Sequence, residues 1–141
     1  MPLQRVHDWP TRLHHIIDSS RSLPFAWGHF DCALNVCNCI RAMTGTDPGA
    51  SYRGTYSDEA GAIAIYGSDL GVFAAGICAS LGCPEVGVNF ARRGDVVFID
   101  NNTAHGALAI VGNGSRFAVC VWTSGLLLVR SHRWRRAWRV G

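Results

Sequence analysis

The chain has 141 residues, 48% of them apolar and 16% charged, with a formal net charge of +3. That is enough chain for one domain, residues 1–141, around one buried core, and too apolar for a disordered polyelectrolyte. No apolar run reaches the roughly 18 residues of a membrane helix, and MPLQRVHDWP lacks the basic-then-apolar layout of a secretory signal, so cytoplasmic synthesis without a membrane span is expected.

Pro10 is well placed to open a helix, and Leu13, Ile16 and Ile17 give it one apolar stripe as far as about Ser20. Arg21 to Phe30, with Pro24 and Gly28, is a loop. From Asp31 a second helix, DCALNVCNCIRAM, runs to about Met43 and is apolar nearly all round, which makes it the central buried helix; Gly45 follows its end. TDPGASYRGTY is a loop. Ser57 caps a short helix whose Asp58 and Glu59 suit its positive end, and Ser68 or Asp69 opens another that runs through Leu81 and stops at Gly82 and Pro84.

After the turn ARRGD the period changes. Short strands are predicted for VVFID, Gly106–Val111, Phe117–Trp122, Leu126–Arg130 and Ala137–Val140, with Gly112-Asn113-Gly114 as a hairpin signal. Helices first and antiparallel strands after define an α+β fold. All 13 basic residues are arginine, and WRRAWRV interleaves Arg135, Arg136 and Arg139 with Trp134 and Trp138. That alternation fits a last strand with one buried face better than a nucleic-acid surface, and no specific nucleic-acid partner is expected.

The six cysteines do not form ligand pairs at zinc-knuckle spacing. Five are expected to behave as small buried hydrophobes, and no metal or cofactor is expected. Cys32 is the exception. With Asp31 as the helix cap it occupies the first turn of the central helix, where the positive helix end favours a thiolate and free N–H groups can hold an oxyanion. Trp27, Gly28, His29 and Asp31 belong to the substrate or oxyanion vicinity. The alternative is a buried cysteine at a well-capped helix start.

A nucleophilic thiol needs a base. His105, just ahead of a strand, is the first candidate, and His29 is the second. Asn113 is the candidate to orient the imidazole. His7, His14, His15 and His132 are expected to be surface or core fillers.

These parts occur in an order that resembles the NlpC/P60 papain-like cysteine peptidases: Trp27-Gly28-x-x-Asp31-Cys32 at a buried helix, then Gly94-Asp95-Val96-Val97-Phe98, then a His-led strand ending at Gly112-Asn113-Gly114. PFAWGHFDCAL, TGTDPGASYRGTYSDEAGA and ARRGDVVFID are similar to a phage-encoded branch, the DUF6950-like proteins of tail gene clusters. The resemblance implies N-terminal helices packed on a small antiparallel β-sheet or half-barrel. It implies Cys32 as nucleophile and His105 as general base in cleavage of peptidoglycan stem-peptide amide bonds, at a virion tail tip during DNA delivery. Tail-tip, hub and baseplate proteins would be its partners.

Two departures from the family pattern bear on activity. Counting back from Asn113, the usual histidine position falls on Gly106, with His105 one residue further; such a slip turns a side chain to the other face unless a bulge near Gly106 restores it. The third catalytic position falls on Ala118, Val119 or Cys120, all apolar. The alternative function is therefore a catalytically inactive tail-tip component that keeps the fold as a docking module, with Trp9, Trp134 and Trp138 as exposed contacts.

Overall fold

The computed structural model describes residues 2–141, the side chain of Ser115 excepted. Four helices come first: α1 (Trp9–Ser20), α2 (Cys32–Thr44), α3 (Glu59–Tyr66) and α4 (Leu70–Ser80). Six strands follow: β1 (Glu85–Val86), β2 (Val96–Ile99), β3 (Ala107–Val111), β4 (Phe117–Trp122), β5 (Gly125–Arg130) and β6 (Trp134–Trp138). They form one open antiparallel sheet in the order β1-β6-β2-β3-β4-β5. The expected α+β class is what the protein adopts.

The helix starts follow from three aspartates. Asp31, Asp58 and Asp69 are extended at the cap positions of α2, α3 and α4, and each carboxylate accepts amides of the first turn. Ser57 was the expected cap of α3. Asp58 takes that place, accepting from the Gly61 amide at 2.7 Å, because a carboxylate is the stronger acceptor and adds charge at the positive helix end. Gly45, at φ +83°, closes α2 in the left-handed conformation.

Strand alternation sorts the core into two faces. Val96, Leu108, Ile110 and Trp138 pack with Leu13, Leu34, Met43 and Ala74 of the helices. Val97, Ala107, Ala109, Val111, Ala118, Cys120, Trp134 and Ala137 form the core of the opposite face. The sheet curls over that face: the Trp134 Nε1–H on β6 donates to the Val129 carbonyl on β5, at 3.2 Å.

Three strand expectations change. The final strand is Trp134–Trp138, not Ala137–Val140, because β6 pairs with β2 from Trp134 onward across an irregularity between Phe98 and Ile99. β1 exists only through its pairing with β6, and two residues carry too little period to be seen in sequence. β3 begins at Ala107, not Gly106. Trp134 and Trp138, expected as exposed contacts, are 3% and 1% exposed, since both sit on buried sides of a sheet covered on each face. Trp9 is half-buried under the Arg5 guanidinium, 4.2 Å from the ring centre.

The two ends of the chain meet at Asp95, which is fully buried. Its carboxylate accepts from Arg5 Nη2 at 2.8 Å, the Arg92 amide at 2.9 Å and the Val140 amide at 3.2 Å. Arg5 also donates to the Arg93 and Val140 carbonyls. Among the described residues, no single helix is long and apolar enough to cross a membrane.

Candidate active site

Trp27 to Asp31 form a tight loop held by the Phe30 amide donating to the Ala26 carbonyl at 2.7 Å. Gly28 lies at φ +80°, and a β-carbon there would sit 2.0 Å from the Tyr56 carbonyl oxygen. Only glycine permits that approach. The residue 47–56 loop supplies the other side of the contact. Asp47 takes a bidentate pair from Arg53, both bonds 3.0 Å, and also the Gly49 amide at 2.9 Å. The Arg53 bonds hold the Asp47 carboxyl below its ordinary value. The Gly54 amide then donates to the Gly28 carbonyl at 2.9 Å. The TGTDPGASYRGTY element is thus a clamp over the loop that leads into α2.

The clamp ends on Asp31, which is 2% exposed. One carboxylate oxygen accepts from the Leu34 amide at 2.9 Å, completing the helix cap, and the other from the Gly28 amide at 3.0 Å. The second oxygen also accepts from the Tyr56 hydroxyl. Tyr56 has one proton and spends it on Asp31, so in the 2.8 Å contact between the two phenols Tyr66 is the donor to Tyr56. Burial raises both phenols, and Asp31 raises Tyr56 further. Neither phenolic proton is free for an oxyanion. Sequence reasoning missed both tyrosines, because their roles depend on contacts 25 and 10 residues away; the signal at hand was the RG-x-Y pattern itself.

Cys32 is the first residue of α2, as expected, and keeps partial exposure. Its electrostatics differ from the expectation of a lowered thiol. Burial pushes the thiol up to about 11; backbone hydrogen bonds from Leu108, Ala33 and Cys32 itself oppose the rise, and the Asp31 charge adds to it. The helix end is already neutralised by its Asp31 cap, so desolvation wins. Cys32 therefore rests as a thiol. The other five cysteines are free thiols; Cys39, Cys78, Cys83 and Cys120 are buried and Cys37 is half-buried. Among the described residues no cluster of three or more His, Cys, Asp or Glu could hold a metal.

His105 stands two residues ahead of β3. Gly106, at φ +69°, separates it from the strand, so pleat alternation does not set its direction. A β-carbon on Gly106 would lie 2.4 Å from the Phe98 ring, which makes the turn obligatory for glycine. The His105 carbonyl accepts from the Leu70 amide at 3.0 Å, tying it to the start of α4. Ahead of it, Asn101 accepts from the Thr103 amide at 3.1 Å and Thr103 accepts from the Gly106 amide at 3.2 Å. Where a bulge could have intervened, the chain places a left-handed glycine, Gly106, between His105 and the strand.

Cys32 and His105 line the same cavity, of about 190 Å³, together with Trp27, Asp31 and Tyr66. The remaining candidates fall elsewhere. His29 is exposed on the outer side, near Gly54, and is not part of the cavity lining. Asn113 is exposed beyond the opposite end of β3, about 26 Å of extended chain from His105. Ala118, Val119 and Cys120 are buried in the sheet. His7, His14, His15 and His132 are exposed. Asn101 and Thr103 are polar residues that line the cavity wall with His105.

Fold and site define an α+β protein in which a cysteine opens the buried helix at an apolar cavity that a histidine ahead of β3 also lines. Residues 4–140 match the family model described as a domain of unknown function, DUF6950, and the chain belongs to that family. No curated protein matches the sequence.

Proposed function

We propose that the protein is a cysteine peptidase or amidase of the NlpC/P60 papain-like type. It acts at a phage tail tip and cleaves peptidoglycan stem-peptide amide bonds to assist DNA delivery. One observation carries this reading: Cys32, at the first turn of α2, and His105, ahead of β3, share one cavity. His105 takes the thiol proton as Cys32 attacks the carbonyl carbon. First-turn amides of α2 hold the oxyanion, and the leaving amine takes the proton back. The tail setting, with hub and baseplate proteins as partners, comes from the sequence resemblance.

A second reading has its own support. Burial holds the Cys32 thiol at about 11, and the strand expected to supply a third polar group offers Ala118, Val119 and Cys120. Both fit a tail-tip component that keeps the fold without the chemistry. Release of peptide from purified sacculi by wild type and by Cys32→Ala separates the two. An active enzyme gives release that the variant loses by at least a hundredfold; equal release from both overturns the peptidase.

A further inference from the structure

Away from the Cys32 cavity, Arg5, Arg92, Arg93 and Arg139 border one open groove together with His7 and Trp9. None of these residues lines the cavity of Cys32 and His105, and among the described residues no acidic side chain borders the groove. We infer that this groove is a binding site for a compact, multiply charged phosphate anion.

Charge gives the first argument. Asp95 is the one carboxylate these arginines share, 2.8 Å from Arg5 Nη2 and 3.5 Å from Arg139 Nε. Arg92 and Arg93 pair with no carboxylate among the described residues. Four guanidinium groups therefore stand against a single acid. Burial lowers the pKa of Arg5, Asp95 opposes that, and the like charges of Arg92 and Arg139 lower it again. Positive charge gathered in a concave surface attracts anions.

Unused donors give the second. Arg93 reaches the Pro10 carbonyl through Nη2 at 3.4 Å, and Arg139 the Phe90 carbonyl through Nη2 at 2.7 Å. The Nε–H groups of both are buried without an acceptor. The exposed Arg92 guanidinium makes no hydrogen bond or ion pair among the described residues. An oxyanion supplies acceptors to such groups.

Preorganisation gives the third. The groove gathers three stretches of chain, and backbone bonds hold two of them: the Val6 amide to the Met43 carbonyl and the Arg139 amide to the Pro84 carbonyl, both at 2.8 Å. Arg5 is held further by its own bonds to Asp95 and to the Arg93 and Val140 carbonyls. A carboxylate fills one guanidinium fork, whereas the oxygens of a phosphate accept from several at once. The charge surplus likewise favours an anion carrying more than one charge.

The test is calorimetric titration of the full-length protein at constant ionic strength with pyrophosphate, inorganic phosphate, acetate and a short oligothymidylate. The expected result is saturable binding of one pyrophosphate per chain, at least tenfold tighter than acetate and tighter than the oligothymidylate. Binding to the folded state also raises the melting temperature as pyrophosphate is added. Arg92→Gln breaks no side-chain bond, so the variant keeps the fold; it is expected to weaken pyrophosphate at least threefold, and Arg92→Gln with Arg93→Gln at least tenfold. Arg130→Gln with Arg133→Gln removes the same charge outside the groove and is expected to change affinity less than twofold. Absence of saturable binding, acetate binding as tightly as pyrophosphate, or equal losses in the two double variants overturns the inference. Tighter binding of the oligothymidylate overturns it as well, in favour of a phosphodiester strand. Cys32 takes no part in the titration, so its outcome is independent of the peptidase.

Discussion

The hydroxyl of Tyr56 donates to the carboxylate of Asp31, the residue immediately before Cys32, across 25 positions of chain. Through this bond the loop between α2 and α3 fixes the cap of the helix that carries the candidate nucleophile. A buried carboxylate needs its full complement of donors, and Tyr56 is one of three.

Tyr56→Phe removes that donor with little change in shape. Hydrogen bonds to charged groups contribute about 1.5–3 kcal/mol, and the variant is expected to lose stability in that range in urea unfolding. An unchanged midpoint would show that Asp31 does not depend on the phenol.

Burial pushes the Cys32 thiol up to about 11. Its thiol is the neutral form, so the reactive thiolate grows as pH rises and amounts to about one part in a thousand at pH 8. Alkylation of Cys32 by iodoacetamide, followed by peptide mass spectrometry, is expected to climb about tenfold per pH unit from pH 7 to beyond pH 10. A plateau below pH 8 would instead reveal a resting thiolate paired with His105.

Gly28 and Gly54 both have positive φ, +80° and +73°, yet they differ in surroundings. A β-carbon at Gly28 meets the Tyr56 carbonyl at 2.0 Å, whereas at Gly54 the nearest atom is 3.9 Å away. Gly54→Ala is expected to cost about 1–2 kcal/mol from backbone strain alone. Gly28→Ala is expected to cost more than about 4 kcal/mol, or to prevent folding. Thermal melts of the pair measure the difference, and equal losses would mean that the clamp yields easily.

Arg5 joins the first residues to Asp95 and to the carbonyls of Arg93 and Val140. Arg139 Nε stays 3.5 Å from the other Asp95 oxygen, so removing Arg5 does not leave the carboxylate wholly uncompensated, which would cost about 3–5 kcal/mol. Arg5→Ala is expected to fall below that range, at about 1.5–3 kcal/mol, in denaturant unfolding. Arg5→Lys is expected to recover only part of the loss, because an ammonium cannot reproduce the guanidinium fork. Full recovery by lysine would assign the effect to charge alone.

Local chemistry determined much of what the sequence shows. Asp31 before an apolar run sets the start of α2 and puts Cys32 on its first turn, because capping acts within three residues. The change from helical to alternating period sets the α+β class, because side-chain direction repeats locally. Tertiary structure decided the rest. The resting state of the Cys32 thiol depends on desolvation by packed neighbours, which no spacing encodes. The placement of His105 depends on Gly106 turning left-handed against the Phe98 ring, and the partners of Asp31 depend on two tyrosines brought in by a folded loop. Burial of Trp134 and Trp138 likewise follows from a sheet covered on both faces, a long-range property that an Arg-Trp alternation cannot express.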